Sequence, residues 1–270
     1  MRIYNGDLKA THFMNVDLDV SSRFDLQPLV SALGKRVRVY YLERVKRTYR
    51  AALAVEKPTK DADSTILAFC ELIQSLSEDD LRHWQDAKTR EFNIGIQAGV
   101  RPHDSLFLVE AETLKTVAAI GGCIGVTVYP PEQSKRKGSA SQFLSVDLDM
   151  QSRFDLQPLV SALATRAYAL HAERLKRTYH ASFELETRPK DVDGTIRAFC
   201  NLIQRVPAAE RQHWHDAKIR EFNIGIQAGK SEPAGQYLVK ADTVKSVAAL
   251  DARIGITVYR PEPVKRAKPC

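Results

Sequence analysis

HWQDAKTREFNIGIQAG (residues 83–99) recurs as HWHDAKIREFNIGIQAG (213–229), and the offset of 130 holds without a gap from 12–140 onto 142–270. Along that alignment 69 of 129 positions are identical. Solenoid repeats have periods of about 20–50 residues, so this one is too long for a solenoid and each copy is long enough to hold its own core. Inside the repeated stretch, Phe92, Ile94 and Ile96 alternate with Glu91, Asn93, Gly95 and Gln97. Period-two alternation is the pattern of a half-buried strand.

Working outward, HFMNVDLDV (12–20) alternates in the same way, with Met14, Val16, Leu18 and Val20 predicted inward and Phe13, Asn15, Asp17 and Asp19 outward. DLQPLVSALG (25–34) reads as a helix: Asp25 precedes it, Pro28 sits in its first turn and Gly34 follows its end. Residues 36–43 and 48–55 read as a hairpin with a basic turn at Lys46 and Arg47. Ile66, Phe69, Cys70 and Ile73 recur at helical spacing, and Ser77 opens a capping signal for a second helix. A short strand near Leu106–Val109, a helix carrying Leu114, Val117 and Ile120, and the alternating strand CIGVTVY (123–129) close the copy.

The expected fold class is α+β: two tandem copies of a β-α-β-β-α-α-β-β-α-β domain, with a mainly antiparallel sheet, helices on one face, and a ferredoxin-like first part. The expected organisation is an N-terminal segment (1–11), a first domain (12–132), a basic Ser/Gly linker (133–141), a second domain (142–262) and a basic tail (263–270).

Net charge is +7. Six of those charges come from Lys135, Arg136 and Lys137 in the linker and Lys265, Arg266 and Lys268 in the tail, which leaves +1 for the rest. No apolar run approaches the roughly 20 residues of a membrane span. The opening MRIYNGDLKATHF has no apolar signal-peptide core. The expectation is a cytoplasmic protein without a membrane partner. Cys70, Cys123, Cys200 and Cys270 form no C-x-x-C pair, and Cys70 and Cys200 fall on apolar helix faces as small hydrophobes.

The sequence has no Gly-rich phosphate loop, G-x-S-x-G or H-E-x-x-H motif. No catalytic residue, metal ligand set or cofactor is assigned. The informative surface is the polar sheet face, where alternation places Asp17, Asp19, Glu91, Asn93 and Tyr129 in the first copy. The same positions in the second are Asp147, Asp149, Glu221, Asn223 and Tyr259. Asp17 and Asp19, two apart on a strand, point to one side. Glycine within such strands, here Gly95 and Gly125, marks close approach of another group.

The closing pattern, FNIGIQ, a short strand, ETLKTVAAIG and IGVTVY, resembles a family of bacterial domains of unknown function. The matching positions are Leu114, Ala118–Gly121 and Tyr129, and again Val244, Ala248–Asp251 and Tyr259, where Asp251 departs from glycine. The resemblance covers about a third of each copy and implies a small α+β domain, with no activity or site residues.

Three functions follow as expectations. The first is a non-enzymatic binding protein whose duplicated surfaces engage a protein partner or each other. The second is nucleic-acid binding through linker, tail and the hairpin cations Lys46, Arg47, Lys176 and Arg177. The third is an enzyme or metal-binding domain using the acidic face.

Overall fold

The structure is a computed structural model that describes residues 9–57, 59–132, 138–187, 189–231 and 233–262. The linker cations Lys135, Arg136 and Lys137, the tail cations Lys265, Arg266 and Lys268, and Cys270 lie outside the described residues.

In the first half the elements are β1 (His12–Ser22), α1 (Gln27–Leu33), β2 (Val37–Val45), β3 (Thr48–Val55), α2 (Ala62–Gln74), α3 (Glu78–Gln85), β4 (Thr89–Gln97), β5 (Asp104–Val109), α4 (Ala111–Ala119) and β6 (Cys123–Tyr129). In the second they are β7 (Gln142–Ser152), α5 (Gln157–Leu163), β8 (Ala167–Leu175), β9 (Thr178–Leu185), α6 (Val192–Arg205), α7 (Ala208–His215), β10 (Ile219–Gln227), β11 (Gly235–Val239), α8 (Ala241–Ala249) and β12 (Arg253–Tyr259). The class is α+β.

Local chemistry sets the ends of these elements. Asp61 and Asp191 cap α2 and α6 by accepting the Ser64 and Gly194 N–H groups, each at 2.8 Å. Ser77 caps α3 by accepting the Asp80 N–H at 3.2 Å. Each such cap is worth about 1 kcal/mol. Asp25 accepts the Gln27 N–H at 3.0 Å as the chain enters α1.

The strands form two mixed six-stranded sheets, ordered β11-β6-β4-β1-β3-β2 and β5-β12-β10-β7-β9-β8. β3 lies between β1 and β2, and β4 flanks β1, all antiparallel. β4 and β6 run parallel, as do β10 and β12. The outermost strands are exchanged. β11, from the second half, pairs with β6 of the first through Tyr237 opposite Val126 and Val239 opposite Ile124. β5, from the first half, pairs with β12 of the second through Phe107 opposite Ile256 and Val109 opposite Ile254. The two halves are also joined by helix packing of α4 on α8. Across that junction Lys115 Nζ lies 2.6 Å from Asp251 Oδ1. Each half thus completes the other's sheet, across the boundary expected between the two domains.

Helices cover one face of each sheet. In the first half Phe69, Trp84 and Phe92 are fully buried together, with Phe92 edge-on to Phe69 at 6.1 Å and tilted against Trp84 at 6.4 Å. The Trp84 indole donates to the Ile120 carbonyl at 2.8 Å, and Trp214 repeats this to Leu250 at 2.9 Å, tying α3 and α7 to the ends of α4 and α8. Cys70 and Cys200 sit in this core, and burial pushes both thiols up to about 12.

Two side chains depart from the alternation. Met14 is 48% exposed instead of inward. The register shifts between Phe13 and Asn15, so Met14 is the extra residue of a bulge and the alternation inverts there. Phe13, expected outward, consequently packs against the core.

Candidate functional site: the polar sheet faces

The face opposite the helices is built from residues that share register. Asp19 stands opposite Glu91 on one side and Ala52 on the other; Asp17 stands opposite Asn93. In the parallel pair, Asn93 is abreast of Gly125 and Gly95 of Thr127. Ala52 on the next strand leaves room for Tyr41, whose hydroxyl donates to Asp19 Oδ1 at 3.3 Å.

Two glycines create the space for this arrangement. The Glu91 carboxylate lies over Gly125, in the volume a Cβ would occupy. Asn15 lies over Gly95, where a Cβ would come within 2.7 Å of its Oδ1. Asn15 Nδ2 donates to Asp17 Oδ1 at 2.6 Å, and Thr127 Oγ1 donates to Asn93 Oδ1 at 2.8 Å.

Burial dominates the electrostatics. It raises Asp17 to about 6, with the neighbouring Asp19 carboxylate adding to the shift. Burial also raises Asp19, while the Tyr41 hydroxyl and the Asn93 amide draw it back down. Glu91 is raised by burial and then by Asp19. Among the described residues no Lys or Arg forms an ion pair with any of the three. Arg90, the next residue to Glu91, faces away: it stacks on Trp84 at 5.9 Å and donates to the Trp84 and Gln85 carbonyls.

The second half has the same scaffold with different charges. Asp149 is opposite Glu221, Asp147 opposite Asn223, and Thr257 donates to Asn223 Oδ1 at 2.8 Å. Glu221 lies over Gly255 as Glu91 lies over Gly125. Here, however, Arg253 Nε donates to Glu221 Oε2 at 2.6 Å, and its NH1 lies 3.4 Å from Glu110, which follows the exchanged strand β5. Burial still holds Glu221 above the usual carboxylate range, with the guanidinium pulling it back. The residue aligned with Arg253 is Cys123, whose thiol is pushed up to about 12, chiefly by burial. The residue aligned with Glu110 is Lys240, 3.7 Å from Asp193.

The two terminal tyrosines lie at the ends of the closing strands. Tyr129 lies opposite Gln97 at the far end of β6. Tyr259 lies opposite Gln227, packs edge-on to His103 at 5.8 Å, and is raised by burial and then by Asp147. The structure therefore brings together Asp17, Asp19, Glu91 and Asn93, and separately Asp147, Asp149, Glu221 and Asn223, with Tyr259 within electrostatic reach of Asp147 and Asp149. It adds Tyr41 and Arg253, which the sequence reading did not select. The 130-residue offset carried the signal for Arg253, because it sets Arg against Cys123 beside the same glutamate. Among the described residues no three His, Cys, Asp or Glu side chains come together so as to hold a metal ion.

The hairpin cations lie elsewhere, at the ends of the sheets. Lys46 and Lys176 occupy the left-handed turn position, with φ 57° each. A separate groove of about 1160 Å³ opens in the second half between α5, α6 and α7, near Arg166 and Arg205. In the first half Arg36 donates to Ser75 Oγ at 2.9 Å and to the Ala32 carbonyl in the corresponding place.

Among the described residues no helix is long and apolar enough to cross a membrane. No family model, no curated protein and no solved structure matches the chain.

Proposed function

We propose that the protein is a non-enzymatic interaction protein: a tandem duplicate of one ferredoxin-like domain, folded back on itself as an intramolecular pseudo-dimer. Its first polar face receives a positively charged segment of a protein partner. The reciprocal exchange of β5 and β11 supports the pseudo-dimer. In a symmetric dimer of separate chains the two faces would be identical. A single covalent chain allows them to diverge, and position 123/253 is one place where they do.

The observation that carries the choice of face is Arg253 against Cys123. In the second half a guanidinium already satisfies the buried glutamate. In the first half Asp17, Asp19 and Glu91 share one surface without such a partner, so an incoming ammonium or guanidinium would remove their mutual repulsion. Ionised carboxylates accept charge-assisted hydrogen bonds well. The same charges oppose nucleic-acid phosphate on this face.

The test is isothermal titration of the full chain with lysine- and arginine-bearing peptides and their acetylated or citrulline counterparts. The reading expects binding that is lost in Asp17→Asn/Asp19→Asn/Glu91→Gln and kept in Asp149→Asn/Glu221→Gln. Absence of binding, or binding indifferent to both sets, overturns it.

A further inference from the structure

At one end of each sheet, away from the acidic faces, an aromatic ring is held out into solvent among unpaired cations. Phe24 is 62% exposed and Phe154 60%. Neither is a loose loop residue. The buried Ser22 and Ser152 hydroxyls accept the Phe24 and Phe154 N–H groups at 3.0 Å each. On the next turn Asp25 and Asp155 accept from Gln27 and Gln157. The ring is presented by a hydrogen-bonded turn.

Three neighbouring strands bring cations to the same end. Lys88 N donates to the Ser21 carbonyl at 2.7 Å, which sets the start of β4 beside the end of β1. Ser22 pairs with Tyr49, and Val45 with Thr48, so the Lys46–Arg47 turn lies just past Arg23 and Phe24. Arg23, Lys46, Arg47 and Lys88 are all exposed, and none forms an ion pair with a described residue. Arg153, Lys176, Arg177 and Lys218 repeat the arrangement around Phe154. With Arg44, stacked over Tyr49 at 5.4 Å, the first end has five cations against Asp25 and Asp86.

We infer that these two ends are docking sites for single-stranded nucleic acid, with an unpaired base stacked on Phe24 or Phe154 and the flanking phosphates on the turn cations. At a strand spacing of about 4.8 Å, the four strands β4, β1, β3 and β2 set the cations over roughly 14 Å, the reach of a short run of nucleotides. A protruding ring can stack only on a base free of its complement, which selects single strands over duplex. One ring per end is a marginal membrane anchor, because a single apolar group holds a lipid surface weakly. The inference goes beyond the proposed function, since the surface shares no residue with the acidic face.

Fluorescence anisotropy of labelled oligo-dT and oligo-U, with a duplex of equal length and phosphatidylserine vesicles alongside, tests it on the full chain. The expected result is single-strand binding that weakens roughly tenfold between 50 and 150 mM salt. Phe24→Ala/Phe154→Ala should weaken it about tenfold, and Phe24→Tyr/Phe154→Tyr should retain it. Lys46→Ser/Arg47→Ser/Lys176→Ser/Arg177→Ser should abolish it with an unchanged melting temperature. A chain with serine at the six linker and tail cations should still bind. Lack of single-strand binding overturns the inference. So does binding that ignores the Phe→Ala change, binding lost with the linker and tail cations instead, or capture of vesicles in place of oligonucleotides.

Discussion

Arg253 Nε donates to Glu221 Oε2 at 2.6 Å, and the position 130 residues before Arg253 is Cys123, beside Glu91. Glu221 is buried and Glu91 half-buried, but only Glu221 has a counter-charge. Removing one partner of a buried pair leaves an uncompensated charge. Arg253→Ala should therefore destabilise the protein by about 3 kcal/mol in urea unfolding at pH 7.5, and adding Glu221→Gln should restore most of that. Equal instability of the single and double variants would contradict the pairing.

The glycines beneath those glutamates should respond unequally. A Cβ at Gly255 would sit 2.5 Å from Glu221 Oε1, and one at Gly125 would overlap Glu91 more closely still. Glu91 is free to swing outward, whereas Glu221 is fixed by Arg253. Gly125→Ala should cost no more than about 1 kcal/mol, and Gly255→Ala about 2 kcal/mol. Unfolding curves of the two variants at one pH decide it, and a reversed order would refute the fixed-versus-free distinction.

Asp17 gives a pH dependence with a definite sign. Its folded value of about 6 exceeds the ordinary 3.8, so the folded state holds the proton more tightly. The residue costs nothing below about pH 4. Stability falls as the pH rises through the window from 4 to 6, and the full penalty applies above it. Solvent still reaches the carboxyl and screens it, so Asp17→Asn should stabilise by only about 1 kcal/mol at pH 7.5. At pH 4.5 the gain should largely vanish. A gain of the same size at both pH values would show that ionisation is not its cause.

The α+β character was legible because alternation and capping are local: Ser77 caps the helix whose start it marks in the sequence. The co-facial placement of Asp17, Asp19, Glu91 and Asn93 followed from the same period of two. Three features were not legible. The bulge at Met14 leaves no trace in the residue pattern, which continues as Met14, Val16, Leu18 across the inversion. Tyr41 reaches Asp19 only through a second bulge, between Val39 and Tyr41, that resets the face of β2. The exchange of β5 and β11 was hidden for a different reason. A strand's alternation says which face is buried, not which neighbour it pairs with. The two halves also offer similar edges, with Leu108 and Val109 in one and Leu238 and Val239 in the other.

Each half supplies the outer strand of the other's sheet, and this exchange holds the two halves together as one body. The most direct measurement inserts a specific protease site within residues 133–137, cleaves the folded protein, and follows it by size-exclusion chromatography with light scattering. With β5 and β11 exchanged and Lys115 bound to Asp251 across the junction, the cut chain should elute as one species near 30.3 kDa and unfold in a single transition. Separation into two stable, half-sized species without denaturant would show that the exchanged strands do not hold the halves together.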